Sequence, residues 1–235
     1  MISNSEIKQI RSLREKKFRD ESGLFAVEGE KMVDEALISG LEVVRVWRTE
    51  DIGEAAMSRI SMFSTPSPVL ALVKKPEYGK PVLEKKLYLA LDAVRDPGNL
   101  GTILRIADWF GIRTVFASPD TVDVYNPKVI QATMGAIFRC RFIYTDIPGL
   151  CRDFRSAGMP VYGTFLDGKN IYGCRLEPSG LVVMGNESNG VSAETAAEVS
   201  SRLFIPRGPD SVAESLNVAV ATAVTLSEFN RRSME

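Results

Sequence analysis

Three stretches of this chain combine polar side chains and glycines in patterns suited to holding a ligand. The first runs Leu91-Asp92-Ala93-Val94-Arg95-Asp96-Pro97-Gly98-Asn99-Leu100-Gly101-Thr102-Ile103-Leu104-Arg105, from an apolar strand through a Pro-Gly turn into a helix. Its ordinary reading is a turn with Asn99 capping the helix. Asn99 and Arg105 stand six residues apart, nearly two turns, so the arginine could point back to the loop mouth and hold a phosphate or another anion there. The second stretch, Met184-Gly185-Asn186-Glu187-Ser188-Asn189-Gly190, breaks off an apolar strand and offers backbone amides at close range. It reads as a tight turn or a ligand loop, and it lacks the G-x-G-x-x-G of a dinucleotide site. The third, Ile205-Pro206-Arg207 through Glu214-Ser215-Leu216-Asn217, leads into the small-residue run Val218-Ala219-Val220-Ala221-Thr222-Ala223. Small residues at that density suit a helix packed tightly against a sheet or a symmetry mate, and core packing alone would also explain them.

Composition narrows the chemistry. The 235 residues contain no histidine, which removes Ser-His-Asp and Cys-His schemes together with the commonest metal ligand and general base. Cys140, Cys151 and Cys174 are too few for a disulfide framework and lack paired metal-site spacing, so they read as buried or incidental thiols and no metal is expected. Hydrophobic residues make up 45% and charged residues 25%, as in a globular protein. A net charge of -1 excludes a globally basic nucleic-acid binder but not a local basic surface. The opening segment carries Lys8, Arg11, Arg14, Lys16, Lys17 and Arg19 against Glu6, Glu15 and Asp20. That pattern reads as a solvated helix face or as an RNA contact through Arg11, Arg14 and Lys17. Apolar stretches such as Leu216 to Leu226 are too short and too interrupted to span a membrane, and the first residues lack the order of a secretory signal. A cytoplasmic protein is expected.

The elements that position these loops follow from periodicity. Ser5 is expected to cap a helix over 6–19, striped by Ile7, Ile10, Leu13 and Phe18. A strand over 24–27, a helix over 29–39, a strand over 43–47 and an apolar run over 69–73 complete a small α/β module. A charged, proline-bearing stretch over 74–81 suits a linker. Beyond it, strands are predicted at 87–91, 114–117, near Phe142, Val161 and Leu181, and at 203–205. Helices are predicted at 99–110, 127–135, 193–199 and 214–231. Such alternation argues for a parallel sheet covered on both faces, with ligands beyond the carboxyl ends of its strands, where the three loops lie.

In their order and wording, D-P-G-N-L-G-T-I-L-R, G-N-E-S-N-G, and I-P-R followed by E-S-L-N-V-A-V-A resemble the three signature motifs of the SpoU (TrmH) family of RNA 2'-O-methyltransferases in the SPOUT superfamily. The resemblance runs from about Leu87 to the C-terminus, and residues 1–76 resemble the small RNA-binding domain that many members carry in front. It implies an α/β fold with an RNA-binding domain over 1–76, a linker over 77–86 and a methyltransferase domain over 87–235 closed by a deep trefoil knot. It implies homodimers, and S-adenosylmethionine bent against the knotted loops at Thr164, Met184, Gly185, Asn186, Gly190, Ile205, Pro206, Arg207, Ser215, Leu216 and Asn217. Arg105 then falls at the proton-handling or phosphate-gripping position, with Asn99, Glu187, Ser215 and Asn217 shaping the site. The 207–213 loop is slightly longer than in many members. Ribosomal RNA is favoured over transfer RNA as substrate. A catalytically silent RNA-binding relative would be expected to lose these polar groups, and all are present.

Overall fold

The computed structural model describes residues 2–79 and 81–234; Met1, Glu235 and Lys80, the last within the expected linker, lie outside the described residues. The chain opens with α1 (Asn4–Ser12), α2 (Lys16–Ser22), β1 (Leu24–Glu28), α3 (Glu30–Ile38), β2 (Val43–Arg48), α4 (Thr49–Ile52), α5 (Glu54–Ile60) and β3 (Val69–Lys74). Its strands form an antiparallel sheet in the order β1-β3-β2. The central position of β3 explains why Val69 to Val73 are all buried and read as an unbroken apolar run.

The single helix expected over 6–19 is instead two. Ser3, not Ser5, caps α1, in a reciprocal box with Glu6. After Ser12 the chain turns, and the Arg19 guanidinium donates to the carbonyls of Leu13 and Arg14 at 2.6 and 2.9 Å, taking acceptors that a continuous helix would have used. Leu13 sinks into the core with Ile7 and Ile10. The short helices α4 and α5 carried too little periodicity to be predicted.

The remaining elements are β4 (Leu87–Leu91), α6 (Pro97–Trp109), β5 (Thr114–Ala117), α7 (Pro127–Thr133), β6 (Arg141–Tyr144), α8 (Ile147–Ser156), β7 (Val161–Asn170), β8 (Gly180–Met184), α9 (Ala193–Glu198), β9 (Ser201–Phe204) and α10 (Val218–Ser233). Helix α8 was not foreseen in the sequence. Six parallel strands run in the order β6-β5-β4-β8-β7-β9. Side-chain alternation divides the core: Leu89 and Leu91 face one apolar cluster with α6 and α10, whereas Tyr88 and Ala90 face another with α8. The first cluster also takes in Phe25, Val27, Val69, Ala71 and Val73, so the two sheets share one continuous core.

Helix α6 begins at Pro97 rather than Asn99. Asp96 is its N-cap, its carboxylate accepting from Asn99 N–H at 2.7 Å, and Pro97 fills the first turn where no donor is needed. Leu100, Ile103, Leu104 and Ala107 form its buried stripe. Helix α7 stops at Thr133 because Met134 turns left-handed at φ 49°. Helix α10 begins at Val218 rather than Glu214, because Asn217 supplies the cap and the residues before it stay exposed and outside the helix.

Helices α6 and α7 meet at Gly101, where a Cβ would lie 2.4 Å from the Ala132 Cβ and 2.9 Å from the Val129 carbonyl. Gly101→Ala is therefore expected to overpack this contact and cost about 1–3 kcal/mol despite alanine's better helix propensity. Urea unfolding measures it, and an unchanged or raised midpoint would show that the helices separate freely.

Candidate active site

The pairing of Leu91 with Met184 brings the carboxyl ends of β4 and β8 level, and the chain leaves these neighbours toward opposite sides of the sheet. Such a switch point opens a crevice. Two loops start there. Asp92 N–H donates to the Met184 carbonyl at 2.9 Å, and the buried Asp92 carboxylate accepts from Ser192 N–H at 2.8 Å, tying the far end of the glycine-rich loop to the start of the other.

The glycine-rich loop folds tightly back on itself. Asn186 and Gly190 exchange backbone hydrogen bonds at 2.9 and 3.0 Å, and a Cβ on Gly185 would lie 2.2 Å from backbone atoms of Gly190 and Val191. Only glycine fits. The Asn186 Oδ1 accepts from the N–H groups of Ser188 and Asn189, while its Nδ2 donates to the Ala93 carbonyl at 2.6 Å. Ala93 has φ 62°, the left-handed region that a side chain with a Cβ rarely adopts. Both of its peptide groups are held: Ser118 Oγ accepts its N–H at 2.8 Å. Strain is thus pinned between the two loops.

A chain of amides then gathers the third loop. Glu187 accepts from the N–H groups of Arg95 and Asp96 at 3.3 and 3.1 Å, and from Asn99 Nδ2 at 3.0 Å. Asn99 Oδ1 accepts from Asn217 Nδ2 at 2.8 Å. Asn217 Oδ1 accepts from Ala219 and Val220 N–H, capping α10. The amide orientations follow from this order, because flipping Asn99 would set its oxygen against the Glu187 carboxylate. Burial raises the Glu187 pKa, but the bonds from Asn99 and from the backbone N–H groups outweigh it and hold the carboxyl below its ordinary value.

Ser215, Leu216 and Asn217 lie exposed on the approach to α10, and no described hydrogen bond engages the Ser215 or Leu216 backbone. Arg207 is exposed and donates to the Ala213 carbonyl at 3.2 Å, closing the 207–213 loop on itself. Ile205 and Pro206 are half-buried beneath it. Thr164 donates to the Val183 carbonyl at 3.4 Å across β7 and β8. Met184 is buried and its carbonyl serves Asp92, so it supports the crevice floor. Arg105 is exposed on α6, and no described side-chain hydrogen bond or ion pair engages it.

Of the opening basic residues, Arg11 lies on α1, Arg14 in the turn and Lys17 on α2, so no single helix face carries them. All three are exposed, although Arg14 donates to the Ser61 carbonyl at 2.5 Å and Lys17 stands 3.8 Å from Glu21. Arg19, grouped with them by sequence, is buried. Sequence reasoning also missed Asp92 and Ser118. The signal for Asp92 was present, a carboxylate closing an otherwise apolar strand. Ser118 is distant in sequence from every motif and gave none. No cluster of three or more metal-ligating side chains occurs among the described residues.

Comparisons with known proteins identify the family. A model of the SpoU rRNA Methylase family matches residues 86–227, and a model of an MRM3-like substrate binding domain matches residues 4–71. The 23S rRNA (guanosine(2553)-2'-O)-methyltransferase RlmP of Bacillus subtilis is 31% identical over 237 residues, covering 94% of each chain. A TrmH-family structure from Porphyromonas gingivalis superposes with a TM-score of 0.90 at 42% identity, covering 99% of both chains. An AdoMet-bound rRNA methyltransferase from Sinorhizobium meliloti gives a TM-score of 0.89 at 30% identity, covering 99% of this chain and 96% of that one. With its three motif loops drawn together at the switch point of the sheet, and a family model spanning more than half its length, the chain belongs to the SpoU rRNA methylase family.

Proposed function

We propose that this protein methylates a ribose 2'-hydroxyl in ribosomal RNA, with S-adenosylmethionine as methyl donor. The observation that carries the reading is the Glu187–Asn99–Asn217 chain, which joins all three motif loops around one crevice. Ribosomal RNA is the substrate named for relatives from Bacillus subtilis and Neisseria meningitidis. Such a substrate is met in the cytoplasm, and no described helix is long and apolar enough to cross a membrane.

The donor set fits a zwitterionic sulfonium. Free backbone groups and the hydroxyl at Ser215, exposed apolar surface at Leu216, and the nearby Glu187 carboxylate supply complementary contacts. Gly185, Asn186, Gly190, Ile205, Pro206, Arg207 and Asn217 would line the same pocket, with Thr164 and Met184 beneath it. When bound, S-adenosylmethionine supplies an electrophilic methyl group. The protein must then align the ribose and exclude water. The Arg105 guanidinium offers N–H donors and no acceptor, so it serves as a binding and charge-stabilising group rather than as a base. Its exposed fork grips the phosphate beside the target ribose and stabilises the negative charge that develops on the 2'-oxygen as its proton passes to solvent at the mouth of the site.

The chain's route supports a trefoil knot. From β8 it passes β7 to reach β9, then returns through the 205–217 segment until Asn217 meets Asn99 on the far side of the switch point. A homodimer is supported by apolar surface left open where α6 and α10 pack: Trp109 is 84% and Val220 50% exposed. Residues 1–76 serve as the RNA reader through Arg11, Arg14 and Lys17, with 77–86 as the connection to the 87–235 methyltransferase domain.

Arg105→Ala should lower methyl transfer by about a hundredfold or more while S-adenosylmethionine affinity stays within about twofold. Calorimetry and single-turnover assays read the two separately, and equal losses would refute the phosphate grip. The wild-type chemical step should have a flat profile from neutral to alkaline pH. Because the Glu187 carboxyl is held below its ordinary value of 4.5, its support of the loops is complete above that pH and fades as pH falls through the lowered value. Cofactor affinity should accordingly be constant from about pH 5 upward, and Glu187→Gln should weaken it roughly tenfold over that range, the difference closing as pH falls through the lowered value. Affinity in that variant equal to wild type would remove Glu187 from the pocket's support. Reversing Arg11, Arg14 and Lys17 to Glu should weaken RNA binding and flatten its salt dependence by roughly one log-log unit per lost phosphate contact. An unchanged slope would return these residues to the role of a solvated face.

A further inference from the structure

Arginine is almost never fully buried unless paired, yet Arg19 is 2% exposed. Besides its two bonds to the α1–α2 turn, its Nε and Nη2 both donate to Asp123 Oδ2, at 2.9 and 2.5 Å. Asp123, whose side chain is only 8% exposed, lies in the loop between β5 and α7, 104 residues away in the other half of the molecule. The contact continues outward. The Phe25 ring packs on Tyr125 at 4.8 Å, Lys75 stands over the same ring at 5.1 Å, and Glu35 pairs with Arg139.

The Asp123 end of this clamp is not an arbitrary point on the catalytic half. Val122 N–H donates to the Val94 carbonyl at 2.9 Å, and Ser118 of the same loop accepts from Ala93 N–H. Asp120 stands 3.6 Å from Arg95. The loop that receives Arg19 is therefore stitched to the loop that carries Asn99.

We propose that Arg19 and Asp123 form a positioning pair that fixes the reach from the RNA-reading module to the target ribose, and thereby sets which nucleotide is methylated. This rests on the reading that residues 1–76 bind the RNA. A module on a loose tether would sample many distances, whereas methyl transfer tolerates misplacement of only about an ångström. Pinned against the motif loop, the module becomes a fixed ruler. Lysine cannot replace Arg19, since one ammonium cannot span Asp123 and two carbonyls together.

The test uses the full chain with spin labels at Glu50→Cys and Asp153→Cys, exposed positions on α4 and α8, in a Cys174→Ser background. With labelled chains diluted in an excess of unlabelled protein, so that only labels within one chain are read, the parent should give one narrow distance distribution. Asp123→Asn and Arg19→Lys should broaden it, as should the double variant Arg19→Met with Asp123→Leu, which removes both charges and keeps the interface apolar. An unmethylated 23S rRNA transcript and a short stem-loop holding only the target nucleotide serve as paired substrates. On the long transcript, kcat should fall at least tenfold, with methyl groups appearing at neighbouring nucleotides. On the stem-loop, parent and variants should turn over alike, with S-adenosylmethionine affinity within twofold. Unbroadened distances in all three variants, or parallel losses on both RNAs together with cofactor binding, overturn the pair. Should the parent methylate no ribosomal RNA, the proposed substrate is wrong, and the distance distributions still decide whether Arg19 and Asp123 fix the reach.

Discussion

The site depends on one directional run of hydrogen bonds. Two N–H groups at the start of α10 donate to Asn217, Asn217 donates to Asn99, and Asn99 donates to Glu187. Only an anionic acceptor can end such a run while also receiving the backbone N–H groups of Arg95 and Asp96. That explains why a carboxylate stands where the loop needs no catalytic acid. The same run joins the first turns of both helices, α6 and α10. It also accounts for the late beginning of α10, since Asn217 is held by Asn99 and cannot join the helix it caps.

Around that run the backbone is held in conformations it would not adopt alone. Ala93 sits at a positive φ because its N–H and carbonyl are both claimed, by Ser118 and Asn186. Gly185 is required by the close return of Gly190. Where the first two loops meet, their backbone is already fixed before any ligand arrives. The preparation matters in a chain with no histidine. Imidazole is not among the groups available to move protons, which gives alignment and fixed charge greater weight.

The molecule's two sheets act as one body. Apolar residues of β1 and β3 belong to the cluster that also contains Leu89, Leu91 and the α6 stripe. A buried ion pair spans the same boundary. Basic residues of the opening segment consequently have different fates. Arg19 is consumed in architecture, while Arg11, Arg14 and Lys17 face solvent. An overall charge of -1 conceals this division.

Much of this was legible in the sequence, and the limit has a physical cause. Alternating apolar runs specified the parallel strands, since period-two burial on both faces of β4 is written into Leu87 to Leu91. The three motif loops declared themselves through glycines and amides at strand ends, where a ligand crevice must open. Local rules failed where a distant partner intervened. The opening helix broke because Arg19 turned back to Leu13 and Arg14 while reaching for Asp123, a partner no window of the opening segment contains. Helix α6 started early because Asp96 took the cap and left Asn99 free to link two loops. Residue type and spacing determined which groups were available; only the tertiary structure decided which of them met, because each polar group satisfies whichever partner folding brings within hydrogen-bond reach.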